Sequence, residues 1–426
     1  MLLGFKKYSR LWNLGIRFLT MASRFIFIFF LAKYLSPSDM GIYGLVAATI
    51  LYSLFFVGID FYTFTTRELP KYEKVKWGAL LKNQIALSML SYFALIPFLV
   101  MIFVFDFIPW NLAIWFFPLV LLEYFCQEYT RFFIAASEQI AASLVMFLRQ
   151  GLWVLVLVHL MMNVEEYRNL DSLFFLWTMS CIVAIIFACL KFYNMKLGGW
   201  YEGIDWKWIR AGIKVALPLL VSTLFLRAIF TVDRYWIQNL GGFEILGAYV
   251  LFMAVANSFL VALDAIVVSY AYPKLISGYA NSNPVFFKSQ IKEMLYFSLF
   301  ISVIFVLASS LLLPSVLIWI GKDIYLDNIH LFYWLMGGII LSGFSLIPHF
   351  ALYAQRKDKF IVRSNIMSLF IFGLSTVIVS IYYPILAVPI GFLLAQFFVL
   401  IYKLQAYYFQ GDISYFGIQE VQRMQK

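Results

Sequence analysis

Residues 11–63 read LWNLGIRFLTMASRFIFIFFLAKYLSPSDMGIYGLVAATILYSLFFVGIDFYT. Two mostly apolar runs flank a short polar turn, Leu35-Ser-Pro-Ser-Asp39. Each run suffices for a membrane-crossing helix, which takes roughly 20 residues. Barrel strands would instead alternate apolar and polar residues over segments of about ten. Reading outward from this stretch predicts twelve spans: 11–32, 41–63, 85–105, 109–127, 139–161, 172–190, 211–232, 245–270, 294–320, 329–350, 364–381 and 384–402. The expected fold class is an all-α integral membrane protein.

Composition agrees. Of 426 residues, 63% are hydrophobic and 13% charged, whereas soluble proteins carry about 25% charged residues. The net charge of +10 lies in the short gaps between apolar runs and marks topology rather than a nucleic-acid surface. Counting alternate connections puts 23 Lys and Arg on one side and four on the other (Lys33, Arg168, Arg234 and Lys322). The positive-inside rule then expects both termini in the cytoplasm. Arg17 and Arg24 interrupt the first apolar run, and no small-residue cleavage site follows, so an uncleaved first helix is expected. Cys126, Cys181 and Cys189 lie in apolar stretches and read as small core residues rather than a disulfide framework.

The connection 191–210 is the best candidate hinge, dividing the chain into a lobe at 1–200, a second at 201–410 and a short cytoplasmic tail at 411–426. A repeat supports the division. Arg24, Leu35…Gly41-Ile-Tyr43, Asp60 and Pro70-Lys71 recur in order as Arg227, Leu240…Gly247-Ala-Tyr249, Asp264 and Pro273-Lys274. Six helices separate the copies, so they are parallel repeats, related by a pseudo-twofold axis along the membrane normal.

Five cations fall within predicted spans: Arg17, Arg24, Arg149, Lys214 and Arg227. Each costs roughly 2.5–3.5 kcal/mol at a helix centre in lipid, so protein or a watery cavity should surround them. Asn13, Arg17, Thr20 and Arg24 are spaced four, three and four apart, which is one helix face. Thr223, Arg227, Thr231 and Arg234 form a comparable stripe; Lys214 points away from it unless Pro218 bends the helix. Thr49, Ser53, Asp60, Thr63 and Arg67 make another face, as do Asn257 with Asp264 and Glu123 with Gln127 and Arg131. Two readings follow. The cations line an anion-binding interior, or they pair statically with Asp60, Glu123 and Asp264. These three acids are also the candidates for ion coupling.

Pro97, Pro118, Pro218, Pro314 and Pro389 fall within spans and would kink them. His349, beside Pro348, could titrate or simply hydrogen-bond. No G-x-x-x-x-G-K-[ST] motif, metal-spaced Cys/His cluster or nucleophile elbow is present, so no ATP hydrolysis, metal site or enzyme activity is expected.

The stretch Arg24 to Tyr43, with Leu-Ser-Pro-Ser-Asp-Met-Gly-Ile-Tyr, resembles the Wzx-type polysaccharide flippases. Gly58-Ile-Asp60 and Thr66-Arg67-Glu68-Leu69-Pro70 extend the likeness, whose quotable motifs span residues 20–75. These flippases belong to the multidrug/oligosaccharidyl-lipid/polysaccharide exporter superfamily. The resemblance implies two six-helix lobes in a V around a central cationic cavity, in a bacterial inner membrane. It implies a cargo, an undecaprenyl-diphosphate-linked oligosaccharide for O-antigen or capsule assembly, moved to the outer leaflet by alternating access. Arg24 matches a cavity cation recurrent in that family. Membrane lipids and the polysaccharide polymerase machinery would be partners; no cofactor is expected beyond a proton or sodium gradient. A multidrug exporter of the same superfamily would want an acidic or apolar cavity. A membrane-embedded polymerase or ligase would need a larger outer loop than these connections of about 12 residues.

Overall fold

The computed structural model describes residues 2–410, and each of the twelve predicted spans is helical over most of its length. No strand occurs among the described residues. Helices α1 (Leu2–Tyr34) and α2 (Pro37–Gly58) precede a short α3 (Tyr62–Glu68), then α4 (Lys74–Val104) and α5 (Ala113–Ala135). A π-helical turn, Leu148–Leu152, joins α6 (Gln139–Phe147) to α7 (Trp153–Asn163), and α8 (Leu170–Asn194) follows. The long α9 (Trp206–Leu263) runs through a second π-helical turn, Asp264–Val268, into α10 (Ser269–Ala280). The remainder is α11 (Pro284–Ile320), a short α12 (Asp323–Asp327), α13 (Ile329–Ala354), α14 (Asp358–Ser380) and α15 (Pro384–Gln410). The expected tail at 411–426 lies outside the described residues.

Eleven helical segments among the described residues are long and apolar enough to cross a membrane. α5, expected as a span at 109–127, is helical but not among them, because Glu123, Glu128 and Arg131 dilute its apolar character. The surface is that of a membrane protein. Only 17% of α11's apolar window is buried, and Phe300, Leu307, Leu311 and Leu312 stand exposed along it. An apolar face so extended needs hydrocarbon as its solvent.

Local chemistry explains the helix ends. Ser36 accepts a hydrogen bond from the Asp39 amide at 3.0 Å and donates to Asp39 Oδ2 at 2.7 Å, and Pro37 occupies the first turn. This is the reciprocal N-cap that Ser-Pro-Ser-Asp encodes. At the matching place in the repeat, α9 bends at Gly242, whose φ of 75° and ψ of −178° are open only to glycine. α9 is thus two helices, matching the expected spans 211–232 and 245–270. The expected span 41–63 is shorter than predicted. α2 stops at Gly58, and Ile59 and Asp60 both take left-handed backbone, φ 50° and 49°.

Packing divides the chain into two compact units, one up to Tyr235 and one from Trp236 onward. The first half of α9 therefore packs with the first six spans: Phe61, Leu87 and Ile209 form a buried cluster with Phe64 and Trp208 against it. The connection 191–210, expected as a hinge, is fastened to α4. Gly78 N–H donates to Gly198 O at 2.9 Å, Lys82 Nζ to Trp200 O at 2.9 Å, and Asp205 N–H to Asn83 Oδ1 at 3.1 Å. A Cβ at Gly78 would meet the Gly198 carbonyl and lie 2.7 Å from Trp200 Nε1. Gly78→Val should therefore cost about 1–3 kcal/mol by overpacking, read as a fall of several degrees in thermal aggregation of the solubilised protein. Gly203→Val, where nothing lies within 4 Å of the added Cβ, should leave that temperature unchanged. In the C-terminal unit, α13, α14 and α15 pack closely, with Gly338 meeting the Phe392 ring on α15.

Candidate functional site

Among the described residues of the N-terminal unit, one charge pair is deeply buried on both sides. Glu123, on α5, and Arg149, in the π-helical turn, are 2% and 6% exposed and meet at 2.5 Å. Arg149 spans one carboxylate oxygen with Nε and Nη2, both at 2.5 Å. The other oxygen accepts from Trp177 Nε1 at 2.6 Å and from Cys181 Sγ at 3.4 Å. Trp153 donates back to the Arg149 carbonyl at 3.0 Å and stacks on Trp177 at 5.6 Å, 6° from parallel. Ser180 Oγ donates to the Leu148 carbonyl, taking up an oxygen at the π-helical turn. Such turns recur at functional sites. Here the turn aims Arg149 at an acid on another helix, the static pairing that residue types alone allowed.

The other four span cations have no acid partner among the described residues. Arg17 Nε donates to Ser143 Oγ at 3.0 Å, and Ser143 in turn donates to Asn13. Arg24 Nη1 donates to Gln150 Oε1 at 3.1 Å and is otherwise exposed. The polar stripe of α1 thus faces α6 and the π-helical turn. Arg227 and Lys214, both in the first half of α9, are exposed and make no hydrogen bond or ion pair among the described residues. Tyr43 on α2 lies within electrostatic range of Arg24, Arg234 and Glu123, tying these groups to one region. Arg234, placed by its position in an outer connection, is instead inside α9 and paired with buried Asp233 at 3.0 Å.

The acids separate. Asp60 is 5% exposed in the left-handed turn after α2. It lies near Glu128, which accepts from Gln84 Nε2 and pairs with Arg131, both at 2.5 Å. The Arg131 guanidinium sits 3.6 Å from the Tyr62 ring centre. The expected Glu123–Gln127–Arg131 face is therefore split: Glu123 serves Arg149, and Arg131 serves Glu128. Likewise the Thr49–Arg67 face is interrupted at Ile59–Asp60. Two adjacent non-glycine residues at positive φ, one β-branched, are a strained arrangement of the kind that clusters at functional sites. Asp264 is exposed and opens the second π-helical turn, so the two repeat-related acids sit in unlike local surroundings.

Glu128, Asp233 and Trp177 carry much of this network and are not singled out by residue spacing, whereas Tyr43 belongs to the repeat. Glu128 and Arg131 stand three apart on one helix, a detectable pairing, and Asp233 directly precedes Arg234. Among the described residues no group of three or more His, Cys, Asp and Glu could hold a metal. Cys126 and Cys181 are buried, as their apolar setting predicts, whereas Cys189 is exposed.

Similarity to known proteins lies in the fold. No family model matches the sequence, and no curated sequence does either. Solved structures do match. A multidrug resistance MATE family transporter of the MOP superfamily, in an inward-facing conformation, superposes with a TM-score of 0.75. Identity is 13%, covering 92% of this chain and 94% of that one. A Vibrio cholerae MATE transporter gives a TM-score of 0.62 at 12% identity, over 94% and 97% of the two chains. An outward-facing MATE structure gives 0.58 at 14% identity, over 94% and 93%. The chain is a multi-pass, all-helical membrane protein with the fold of MATE transporters.

Proposed function

We propose that this protein is a transporter of the MOP superfamily that flips an undecaprenyl-diphosphate-linked oligosaccharide across a bacterial inner membrane, with both termini cytoplasmic. The observation that carries this reading is the set of four span cations, Arg17, Arg24, Lys214 and Arg227, that lack an acid partner among the described residues. An unpaired guanidinium exposed in a span needs water or an anion to be tolerated. A diphosphate meets that need, because Arg engages phosphate oxygens in pairs while the polyprenyl tail stays in lipid. Arg149 has a different part: neutralised by Glu123, it holds α5, α8 and the π-helical turn together. The cargo serves O-antigen, lipopolysaccharide or capsule assembly, and a polymerase would act on the delivered unit. No cofactor takes part; a proton or sodium gradient drives alternating access.

The MATE neighbours favour a second reading, a multidrug exporter. A cationic drug would be repelled by unpaired arginines, so the two readings separate on substrate charge. Deleting the gene and scoring surface polysaccharide against drug susceptibility tests them: loss of polysaccharide with unaltered drug susceptibility supports the flippase, and the converse supports the exporter.

Asp60, with its strained turn, and Asp264, at its π-helical turn, are the proposed places where a cation biases one conformation over the other. Asp60→Asn and Asp264→Asn should each reduce polysaccharide export about tenfold at unchanged membrane abundance, one lost charge being worth roughly 1.4 kcal/mol or more. Export at the native level in both variants would assign these acids a structural role only.

A further inference from the structure

The C-terminal unit holds a buried basic pair. Lys403 belongs to α15, well inside the apolar segment that ends at Phe409, and is 4% exposed. Its Nζ lies 3.4 Å from Nδ1 of His349 on α13. No carboxylate reaches Lys403 among the described residues. On α14, which packs against α15, Asp358 and Lys359 are exposed in the first turn. Tyr272 on α10 packs against Phe350 and Tyr353, Tyr407 lies one turn further along α15, Glu293 of α11 pairs with Lys274 at 3.8 Å, and Arg363 of α14 is exposed. The Phe350 ring is edge-on to His349 at 5.1 Å, Ala351, Leu352 and Ala406 are buried on the same two helices, and Ser345 of α13 and Gln396 of α15 are buried polar residues there.

A lysine ammonium buried without a counter-charge is costly, and lysine gives up its proton readily in such surroundings. Among the described residues its hydrogen-bond partner is another base. Two protonated bases 3.4 Å apart repel strongly, whereas a single proton between them makes a charge-assisted hydrogen bond stronger than the one two neutral bases would form. We propose that Lys403 and His349 form a proton-binding site that holds one shared proton and exchanges it with water during the transport cycle. The proton leaves as hydronium and returns the same way, with no other bond made or broken. This deepens the transporter reading above by naming the proton as the driving ion and α13–α15 as its place.

Two measurements on the full-length protein test it. The chain has three histidines, so ¹⁵N-histidine spectra recorded from pH 5 to 8 identify His349 as the signal missing from His349→Gln. If the proton is shared, Lys403→Gln changes the proton affinity of His349 by about tenfold or more, one unit on the titration curve. His159 and His330 stay unchanged. Lys403→Met, which keeps the apolar stem, serves if Lys403→Gln inserts poorly. An unaltered His349 curve overturns the proposal whatever transport does. In liposomes carrying a lumenal pH dye, a fluorescent undecaprenyl-diphosphate sugar should drive a pH change with the native protein. Lys403→Gln and His349→Gln should abolish that change while moving the probe down its own gradient. Native proton flux in both variants overturns the proposal. A coupled His349 curve with no probe movement leaves the proton site standing and removes the flippase reading.

Discussion

Glu123→Ala is expected to deplete the protein from the membrane, and Arg149→Ala to do the same. Both residues are nearly inaccessible, and among the described residues each is the other's only ion-pair partner. Removing one partner of a buried ion pair costs about 3–5 kcal/mol, because the remaining charge stays buried and unpaired. Glu123 also receives Trp177 and Cys181, so its loss leaves further donors unsatisfied. Replacing both ions together, Glu123→Gln with Arg149→Met, should restore much of the abundance, since a neutral filled site carries no stranded charge. Quantitative blotting of membrane fractions decides this. If Arg149→Ala accumulates normally and only transport fails, Arg149 binds cargo directly and its part as a strut is wrong.

Arg24→Ala combined with Arg227→Ala should behave in the opposite way: native abundance, with export lost. Neither side chain has an acid partner to strand among the described residues, so their removal relieves a desolvation cost rather than creating one. If each contributes a charge-assisted contact to phosphate of about 1.5–3 kcal/mol, losing both should slow transport at least about 100-fold. Arg24→Lys keeps the charge but loses the planar fork, and an intermediate rate is expected. Surface polysaccharide and membrane abundance, measured on the same cells, separate this from misfolding.

How far these features were legible in the sequence follows from their range. The spans were readable because bilayer thickness demands about 20 apolar residues in a row. The α1 stripe was readable because Asn13, Arg17 and Arg24 obey helical spacing, and they do meet α6 and the π-helical turn. The break at Ile59–Asp60 was not. Nothing local favours left-handed backbone at a β-branched residue, and the turn brings Ile59 and Phe61 into one buried cluster with Leu87 and Ile209, contacts distant in sequence. Nor was the π-helical turn at Arg149 readable, since one inserted residue rotates everything after it relative to a 3.6-residue register. Glu123 consequently found Arg149 on another helix rather than Arg131 on its own. Lys403 follows the apolar run 384–402 by one residue and so reads as a loop cation. Only packing shows that it is buried.

The central claim is that unpaired span arginines receive a lipid diphosphate, and purified protein in liposomes tests it most directly. A fluorescent undecaprenyl-diphosphate oligosaccharide is placed in one leaflet, and its appearance in the other is followed with a membrane-impermeant quencher. The native protein should speed that movement, Arg24→Ala with Arg227→Ala should abolish it, and a cationic dye such as ethidium should not be carried. Equal rates for the native protein and the double variant, or transport of ethidium in place of the lipid, would contradict the account.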